Sequence, residues 1–293
     1  MSDVPAAAPA AAAPAPAAAP GGLGSGTVPK LELKNLFISY TDRAGKVVSA
    51  VEDVSLTLTN KPGVGELLVF LGPSGCGKST ILKAISGLLT PVSGEVLVDG
   101  LPVSGTGRDR GMVFQSYTSF AWRTVRQNVE YGLELQGVPA AERKKQALEI
   151  IEQVGLKDFA EAYPKQLSGG MKQRVAIART LVNKPKLVLM DEPFGALDPQ
   201  TRWGMQALIL DVLRKQDNTV IFVTHDISEA VFLADVVFVL SHRPAKVLHR
   251  IEMPYFAERD PALRQKPEFK QLENHLLDIL GALQVKGNVR VGL

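Results

Sequence analysis

The sequence of 293 residues predicts an α/β fold whose central sheet is mostly parallel. Three apolar runs, residues 66–71, 186–190 and 219–224, have the length and composition of strands that are buried on both faces. Each run leads directly into a glycine-rich or polar segment, and a parallel sheet carries its site at such strand ends. An inserted helical subdomain is predicted as well, because about 75 residues with helical spacing separate Gln115 from Asp191.

A small antiparallel β-subdomain is predicted on the N-terminal side of this core. Residues 31–58 have the pattern of two strands around a polar turn at 42–46, and residues 95–98 form another strand before the turn pair Asp99-Gly100. Tyr40 ends the first of these strands. Taken alone, it is an aromatic residue at the rim of a sheet and needs no special function.

Composition limits the kinds of partner that the chain can have. Residues 1–26 are almost entirely Ala, Pro and Gly, which predicts a disordered tail over residues 1–28. The net charge of +3 is too small to argue for nucleic acid, so no nucleic-acid partner is expected. No apolar run approaches the roughly 18–20 residues that span a bilayer. Any role at a membrane is therefore expected to depend on a partner.

A phosphate-binding loop is the most specific motif in the sequence. The segment Gly72-Pro73-Ser74-Gly75-Cys76-Gly77-Lys78-Ser79, followed by Thr80, fits the pattern G-x-x-x-x-G-K-[ST]. Its glycines let backbone N–H groups approach phosphate oxygens at the positive end of the following helix. Lys78 is predicted to reach the β- and γ-phosphates and Ser79 to bind Mg²⁺. A plain glycine-rich turn is the alternative, but the apolar run before the loop and the helical spacing after it favour nucleotide binding.

Cys76 lies inside this loop and is the one cysteine of the sequence. A single cysteine makes no internal disulfide, so a reducing compartment suits the chain. A helix N-terminus can lower the pKa of a thiol. We therefore expect alkylation of Cys76 to block ATP binding and ATP to protect the thiol, although a small residue tolerated at a variable position is the simpler interpretation.

Candidate catalytic residues stand where predicted strands end. Asp191 is predicted to hold Mg²⁺ through water, and Glu192 to position and deprotonate the attacking water. His225 is predicted to donate a hydrogen bond to the γ-phosphate, and Gln115 to complete the Mg²⁺ shell. Each of these residues is weak evidence alone. Their positions in a chain with a phosphate loop give them this meaning.

A second segment of the same chemical kind is Leu167-Ser168-Gly169-Gly170-Met171-Lys172-Gln173-Arg174. Ser168, Gly169 and Gly170 open a predicted helix and supply free N–H groups for an anion, about 90 residues after the first loop. By itself this segment could be a serine helix cap. Together with the first loop it predicts that two copies of the chain clamp a nucleotide between one copy's loop and the other copy's glycines.

These motifs in combination resemble the nucleotide-binding subunit of ATP-binding cassette (ABC) transporters. The resemblance runs from about Leu31 to Pro254. The residues that carry it are Tyr40, the phosphate loop, Gln115, the segment from Leu167 to Arg174, Leu187 to Glu192, Gly195-Ala196-Leu197-Asp198 and His225.

The resemblance implies that Tyr40 stacks on adenine and that Glu192 is the catalytic base. It implies ATP and Mg²⁺ as cofactors and a head-to-tail homodimer with two ATP sites. Residues Ser168 to Gly170 then bind the γ-phosphate in the partner's site, and Gln173 and Asp198 lie at the dimer interface.

The resemblance also implies a domain division and a place in the cell. The expected ATPase domain covers residues 29–254 with a helical subdomain at about 116–182, and a C-terminal helical extension covers 255–293. Finer features resemble the importer branch that serves nitrate, taurine and sulfonates, which implies transmembrane permease subunits, a solute-binding protein and a peripheral position on the cytoplasmic face of the inner membrane. These features are residues 109–115, 118–122, 191–198, Thr201-Arg202 and Met205-Gln206, with residues 254–280.

Other functions remain open from the sequence. A soluble ABC ATPase in a non-transport role is the main alternative, although such proteins usually carry two cassettes or a long coiled-coil insertion. A small-molecule kinase and an exporter cassette fit the motifs less well. In the importer interpretation, residues 116–126 dock on the membrane subunits, with Phe120 and Trp122 either exposed as anchors or packed inside the helical subdomain.

Overall fold

The structure is a computed structural model that describes residues 28–59, 65–195, 197–215, 218–254, 259 and 261–288. Apart from Val28, the predicted tail over residues 1–28 lies outside the described residues. No helix within the described ranges combines the length and the apolar character needed to cross a membrane.

Ten strands form two sheets in the described part of the chain. They are β1 (Leu31–Thr41), β2 (Val47–Leu58), β3 (Leu67–Leu71), β4 (Ser93–Val98), β5 (Leu101–Pro102), β6 (Arg110–Val113), β7 (Leu187–Asp191), β8 (Thr219–Thr224), β9 (Val236–Leu240) and β10 (Val247–Glu252).

The two sheets confirm the predicted fold class. The central sheet has the order β10-β9-β3-β8-β7-β6, and all its neighbouring pairs are parallel except the β9–β10 hairpin. The smaller sheet has the order β2-β1-β4-β5 and is antiparallel throughout. Strands β3, β7 and β9 are buried along their whole length, as continuous apolar runs of parallel strands require.

Seven α-helices cover the central sheet or extend from it within the described residues. They are α1 (Lys78–Ser86), α2 (Val125–Leu135), α3 (Ala140–Gln153), α4 (Gly169–Leu181), α5 (Pro199–Lys215), α6 (Ile227–Leu233) and α7 (Pro267–Asn288), with short 3₁₀ turns at Lys157–Phe159, Pro164–Gln166 and Pro261–Gln265.

The inserted helical subdomain consists of α2, α3 and α4, which lie between β6 and β7 in the chain. Helix α2 begins at a capping box in which the Thr124 side chain accepts from the Gln127 N–H and the Gln127 side chain accepts from the Thr124 N–H. Helix α4 begins at the side chain of Ser168, which accepts from the Met171 N–H. Both helices therefore begin at a side chain that pairs one of their free N–H groups.

The C-terminal part of the described chain packs on the main core. Leu263, Phe269 and Leu276 are buried in the same hydrophobic cluster as one face of the central sheet, and α7 contacts α6. This packing supports a helical extension after β10. Its boundary at residue 255 stays a prediction.

Candidate active site

The phosphate loop leaves the end of β3, a central strand held between β8 and β9. Lys78 opens α1 and is 3% exposed, and its Nζ donates to the carbonyl oxygens of Gly72 at 2.8 Å and Pro73 at 2.9 Å. The lysine therefore folds back over its own loop with its charge inside the curve. A concave ring of backbone around one cation is the arrangement that binds phosphate oxygens.

The glycines of the loop make room for this curve. Gly77 has φ +126°, and a Cβ there would lie 2.6 Å from the carbonyl oxygen of Ala50 on β2. Gly75 has φ +73°. A side chain at either position would be strained, and at Gly77 it would also collide with backbone. Behind the loop, Thr80 N–H donates to the Gly77 carbonyl at 3.0 Å and starts the helix.

Asp191 ends β7 and meets the first turn of α1. The Ser79 hydroxyl donates to Asp191 Oδ1 at 2.6 Å. Burial raises the pKa of the Asp191 carboxyl, the Ser79 hydrogen bond lowers it in part, and the nearby charge of Glu192 raises it further. A buried carboxylate beside a hydroxyl is a set of hard oxygen donors, and its raised pKa marks a place where a cation would be favourable. These residues fit Mg²⁺.

Glu192 follows with an uncommon backbone conformation. Its φ is +43°, in the left-handed region that non-glycine residues rarely adopt. The conformation is held by Glu192 N–H donating to the Val223 carbonyl at 3.1 Å and by Gly195 N–H donating to the Glu192 carbonyl at 3.2 Å. Strain of this kind is found at functional sites, where the surrounding structure fixes one side-chain direction.

The Glu192 carboxylate faces two other candidates. Its Oε2 lies 3.2 Å from Nδ1 of His225, and its Oε1 lies 3.9 Å from Nζ of Lys78. The exposed side chain of Gln115 is close by, since a Cβ added at Gly195 would be 3.9 Å from Gln115 Nε2 and 4.0 Å from Glu192 Oε2. Side chains from four separate segments thus meet at one edge of the sheet.

Tyr40 lies at the end of β1, about two-fifths exposed, on the side of the phosphate loop. Arg243 joins the two: its Nη1 donates to the Tyr40 hydroxyl at 2.6 Å, and its Nη2 donates to the Gly75 carbonyl at 2.9 Å. Arg243 was not among the predicted site residues. No sequence signal marks it, because it is a single arginine in the connection between β9 and β10.

The second glycine segment, residues 168–170, lies next to segments other than the phosphate loop within one chain. The atoms nearest to a Cβ added at Gly169 or Gly170 belong to Tyr117, Leu197, Thr201 and Met205, and none belongs to the phosphate loop. Asp198 is exposed beside this segment, and its Oδ1 accepts from the Thr201 N–H at 3.1 Å. That backbone hydrogen bond lowers the pKa of the Asp198 carboxyl.

Gln173, predicted to lie at the dimer interface, is buried within one chain. Its side chain is 1% exposed, and within the described residues neither its Oε1 nor its Nε2 has a hydrogen-bond partner. It lies inside α4 rather than on the surface that Asp198 presents. Its expected place at a dimer interface remains a prediction.

The expectation of a lowered thiol pKa at Cys76 is wrong. Burial raises the pKa of the Cys76 thiol, while the Lys78 charge and backbone N–H groups lower it by less. The thiol is 2% exposed, with its Sγ 3.3 Å from the position of a Cβ at Gly72. Loss of solvation outweighs the field of the helix N-terminus, because the thiolate would form in an apolar interior.

Comparisons with known proteins point in one direction. A family model described as ABC transporter matches residues 51–195. The chain is 45% identical over 256 residues to the nitrate import ATP-binding protein NrtD of Synechocystis, covering 85% of this chain and 94% of that protein. It is 45% identical over 233 residues to the taurine import ATP-binding protein TauB of Yersinia pseudotuberculosis, covering 78% and 90%.

A solved structure is similar as well. The dimeric structure of a post-hydrolysis state of the ATP-binding cassette MJ0796, bound to ADP and Pi, superimposes with a TM-score of 0.66 at 33% identity. The match covers 77% of this chain and 100% of the solved chain.

Proposed function

This chain belongs to the ATP-binding proteins of ABC transporters, and from that membership we propose that it powers the import of a small solute through separate membrane subunits. As a member of this family the chain binds ATP and is an ATPase. The relatives named for nitrate and taurine import support nitrate, taurine or a sulfonate as the solute. They do not favour the alternative of a non-transport ATPase.

One observation carries the proposed chemistry. Lys78, Ser79, Asp191, Glu192 and His225 come together at one edge of the central sheet, with the distances given above. Lys78 and the loop N–H groups hold the β- and γ-phosphates of ATP. Ser79, Asp191 and Gln115 would hold Mg²⁺, which would neutralise charge on the phosphates.

Glu192 is the proposed catalytic base. It accepts a proton from the water whose oxygen bonds to the γ-phosphorus, while the bond from that phosphorus to the β–γ bridging oxygen breaks and ADP leaves. The strained backbone fixes the direction of the Glu192 carboxylate. His225 lies 3.2 Å from that carboxylate and can donate to the γ-phosphate from the same side. Lys78 Nζ, 3.9 Å from Glu192 Oε1, places a positive charge beside that carboxylate.

A head-to-tail homodimer completes the proposed site. Ser168 is exposed, and the atoms nearest to Gly169 and Gly170 belong to segments other than the phosphate loop of their own chain, which supports a role for this segment at the γ-phosphate bound by a second copy. Asp198 is exposed beside them and suits the interface between copies. The dimeric state of the solved relative supports this arrangement.

The membrane subunits are proposed to dock at a groove beside the inserted helices. The groove has a volume of about 640 Å³ and lies between the β6 edge of the central sheet and helices α2 and α4. Docking there holds the chain peripherally on the cytoplasmic face of the inner membrane, and the importer relatives support a solute-binding protein in the full complex. Its lining residues include Arg108, Phe114, Phe120, Tyr131, Leu135 and Arg179.

The dimer and the base are tested with the Glu192→Gln variant. We expect ATP hydrolysis to fall by at least about 100-fold, because the base is lost, while ATP still binds. Light scattering should then detect a dimer with ATP and Mg²⁺ and a monomer without them. Adding Ser168→Arg should prevent that dimer, whereas Ser104→Arg, at an exposed serine elsewhere, should not. Retained hydrolysis would remove Glu192 from its role, and a persistent monomer would refute the clamp.

The transport role is tested by uptake. In native cells, replacing the chain by Glu192→Gln should abolish uptake of labelled nitrate, taurine or an alkanesulfonate, and leave uptake of labelled glycine unchanged. Normal uptake of all three candidate solutes would refute the proposed solute class.

A further inference from the structure

The connection between β9 and β10, residues 241–246, lies between the phosphate loop and the small sheet. Ala245 N–H donates to the Ala50 carbonyl at 2.9 Å, and Glu52 N–H donates to the Ala245 carbonyl at 3.0 Å. A Cβ added at Gly77 would meet both Ala50 and Ala245. The backbone that carries Arg243 is therefore fixed against β2 and against the phosphate loop at the same time.

Arg243 uses this position to connect two parts of the site. Its Nε and Nη2 donate to the Gly75 carbonyl at 3.2 Å and 2.9 Å, and its Nη1 donates to the Tyr40 hydroxyl at 2.6 Å. The guanidinium carbon lies 5.7 Å from the centre of the Tyr40 ring. One side chain thus bridges a residue of the antiparallel sheet and a residue of the phosphate loop that are 35 positions apart in sequence.

We propose that Arg243 is a positioning residue that fixes the Tyr40 ring relative to the phosphate loop and so matches the site to a nucleotide rather than to phosphate alone. The proposal rests on the proposed role of Tyr40 as the surface on which the base stacks. The distance from the base of a nucleotide to its β-phosphate is fixed. Both ends therefore bind well only when the Tyr40 ring and the phosphate loop are held at a matching distance from each other. Without the hydrogen bonds of Arg243, the Tyr40 ring has to be ordered when the nucleotide binds. The entropy lost in that ordering lowers the affinity.

The chemistry of arginine suits this task better than that of lysine. A guanidinium is a planar fork whose N–H groups point in fixed directions, so it can hold the carbonyl and the hydroxyl together. The ammonium group of a lysine is a point donor on a flexible stem. Because Arg243 directs its donors to Gly75 and Tyr40, we expect it to act on the base end of the ligand through Tyr40.

The test compares two ligands that differ only in the nucleoside. ADP contacts both the Tyr40 ring and the phosphate loop, whereas inorganic pyrophosphate contacts the loop alone. Each ligand is titrated into the protein in the presence of Mg²⁺, and its binding is measured by calorimetry. For Arg243→Ala we expect the dissociation constant of ADP to rise about tenfold, the effect of losing one hydrogen bond from a charged donor, while that of pyrophosphate changes less than about twofold. Arg243→Lys should resemble Arg243→Ala. Arg250→Ala, which removes an equal charge from an exposed ion pair on β10, should change neither.

A second variant removes the same contact without touching the connection. Tyr40→Phe keeps the ring and loses the hydroxyl, and we expect it to weaken ADP by a similar factor, with no further loss in the double variant Tyr40→Phe/Arg243→Ala. Equal weakening of ADP and pyrophosphate, full rescue by lysine, or unchanged ADP binding would each overturn the proposal. Unchanged ADP binding in Tyr40→Ala would instead show that the base does not stack on Tyr40. The ATPase activity and the proposed transport role would be unaffected by that result.

Discussion

At the scale of single residues, burial decides the chemistry of Cys76. The thiol lies beside a lysine and a helix N-terminus, both of which favour a thiolate, yet its pKa is raised because the sulfur is enclosed by the loop. Glu192 illustrates the opposite case. Its partly buried carboxylate is turned towards Lys78 and His225 by a backbone conformation that the residue would not adopt by preference.

The raised thiol pKa changes the prediction for alkylation. We expect N-ethylmaleimide at pH 8 to modify Cys76 in the folded chain at least about tenfold more slowly than in denaturant, since a raised pKa lowers the thiolate fraction and burial blocks access. Once modified, the chain should no longer bind ATP, and bound ATP should slow the reaction further. Mass spectrometry of the time course checks the rate. Equal rates in folded and denatured chain, or full ATP binding after complete modification, would contradict this.

At the scale of secondary-structure elements, Glu229 on α6 ties several segments together. Its carboxylate accepts from the Thr224 hydroxyl of β8 at 2.6 Å and from Gln206 Nε2 of α5 at 3.0 Å. Gln206 Oε1 in turn accepts from Arg264 of the C-terminal segment. The end of β8, directly before His225, is therefore linked to the C-terminal segment by buried polar contacts.

Titration of Glu229 gives a pH-dependent stability. Burial raises the pKa of Glu229 above its ordinary value of 4.5, so its contribution to stability is present below that pH and is lost as pH rises through the folded pKa. The variant Glu229→Gln cannot titrate. We expect the unfolding temperature of the wild type, relative to Glu229→Gln, to fall as pH rises from 4.5 to 8, measured by calorimetry. A difference that stays constant with pH would refute this, and exposed Glu95→Gln controls for the lost charge.

At the scale of the whole molecule, the two aromatic residues proposed as anchors have ring centres 5.6 Å apart but differ in how far they are exposed. Phe120 packs edge-on against Tyr131 with ring centres 4.7 Å apart and lies under Arg179, whose guanidinium carbon is 5.6 Å from its ring. Trp122 is 75% exposed. Phe120 thus packs within the subdomain and lines the proposed docking groove, and Trp122 beside it is the exposed side chain that a membrane partner can cover.

Assembly with the membrane subunits should depend on Trp122. We expect Trp122→Ala to reduce co-purification of the chain with its membrane subunits by at least about tenfold, since an exposed tryptophan at an interface is a common hot spot. Basal ATPase activity of the isolated chain should be unchanged, because Trp122 is not one of the residues that form the candidate active site. The control is Leu101→Ala, a similarly exposed apolar residue on β5. Intact assembly of Trp122→Ala would count against docking here.

The sequence alone determined the features that depend on local spacing. The phosphate loop, the apolar runs of β3, β7 and β8 and the helical periods of α2 to α4 are each contained within fewer than about twenty residues, so their pattern is legible without the fold. The relation of Ser79 to Asp191 was also predictable, because parallel strands bring their ends to one edge of the sheet.

The tertiary structure decided the features that depend on distant segments. Arg243 reaches Tyr40 across 203 positions and Arg264 reaches Gln206 across 58, and no local pattern encodes such a meeting. Burial of the Cys76 thiol and the different exposure of Phe120 and Trp122 likewise depend on which surfaces the folded chain covers. Sequence pattern specifies chemistry at short range, whereas pKa values and long-range bridges are set by solvation and by the packing of remote elements.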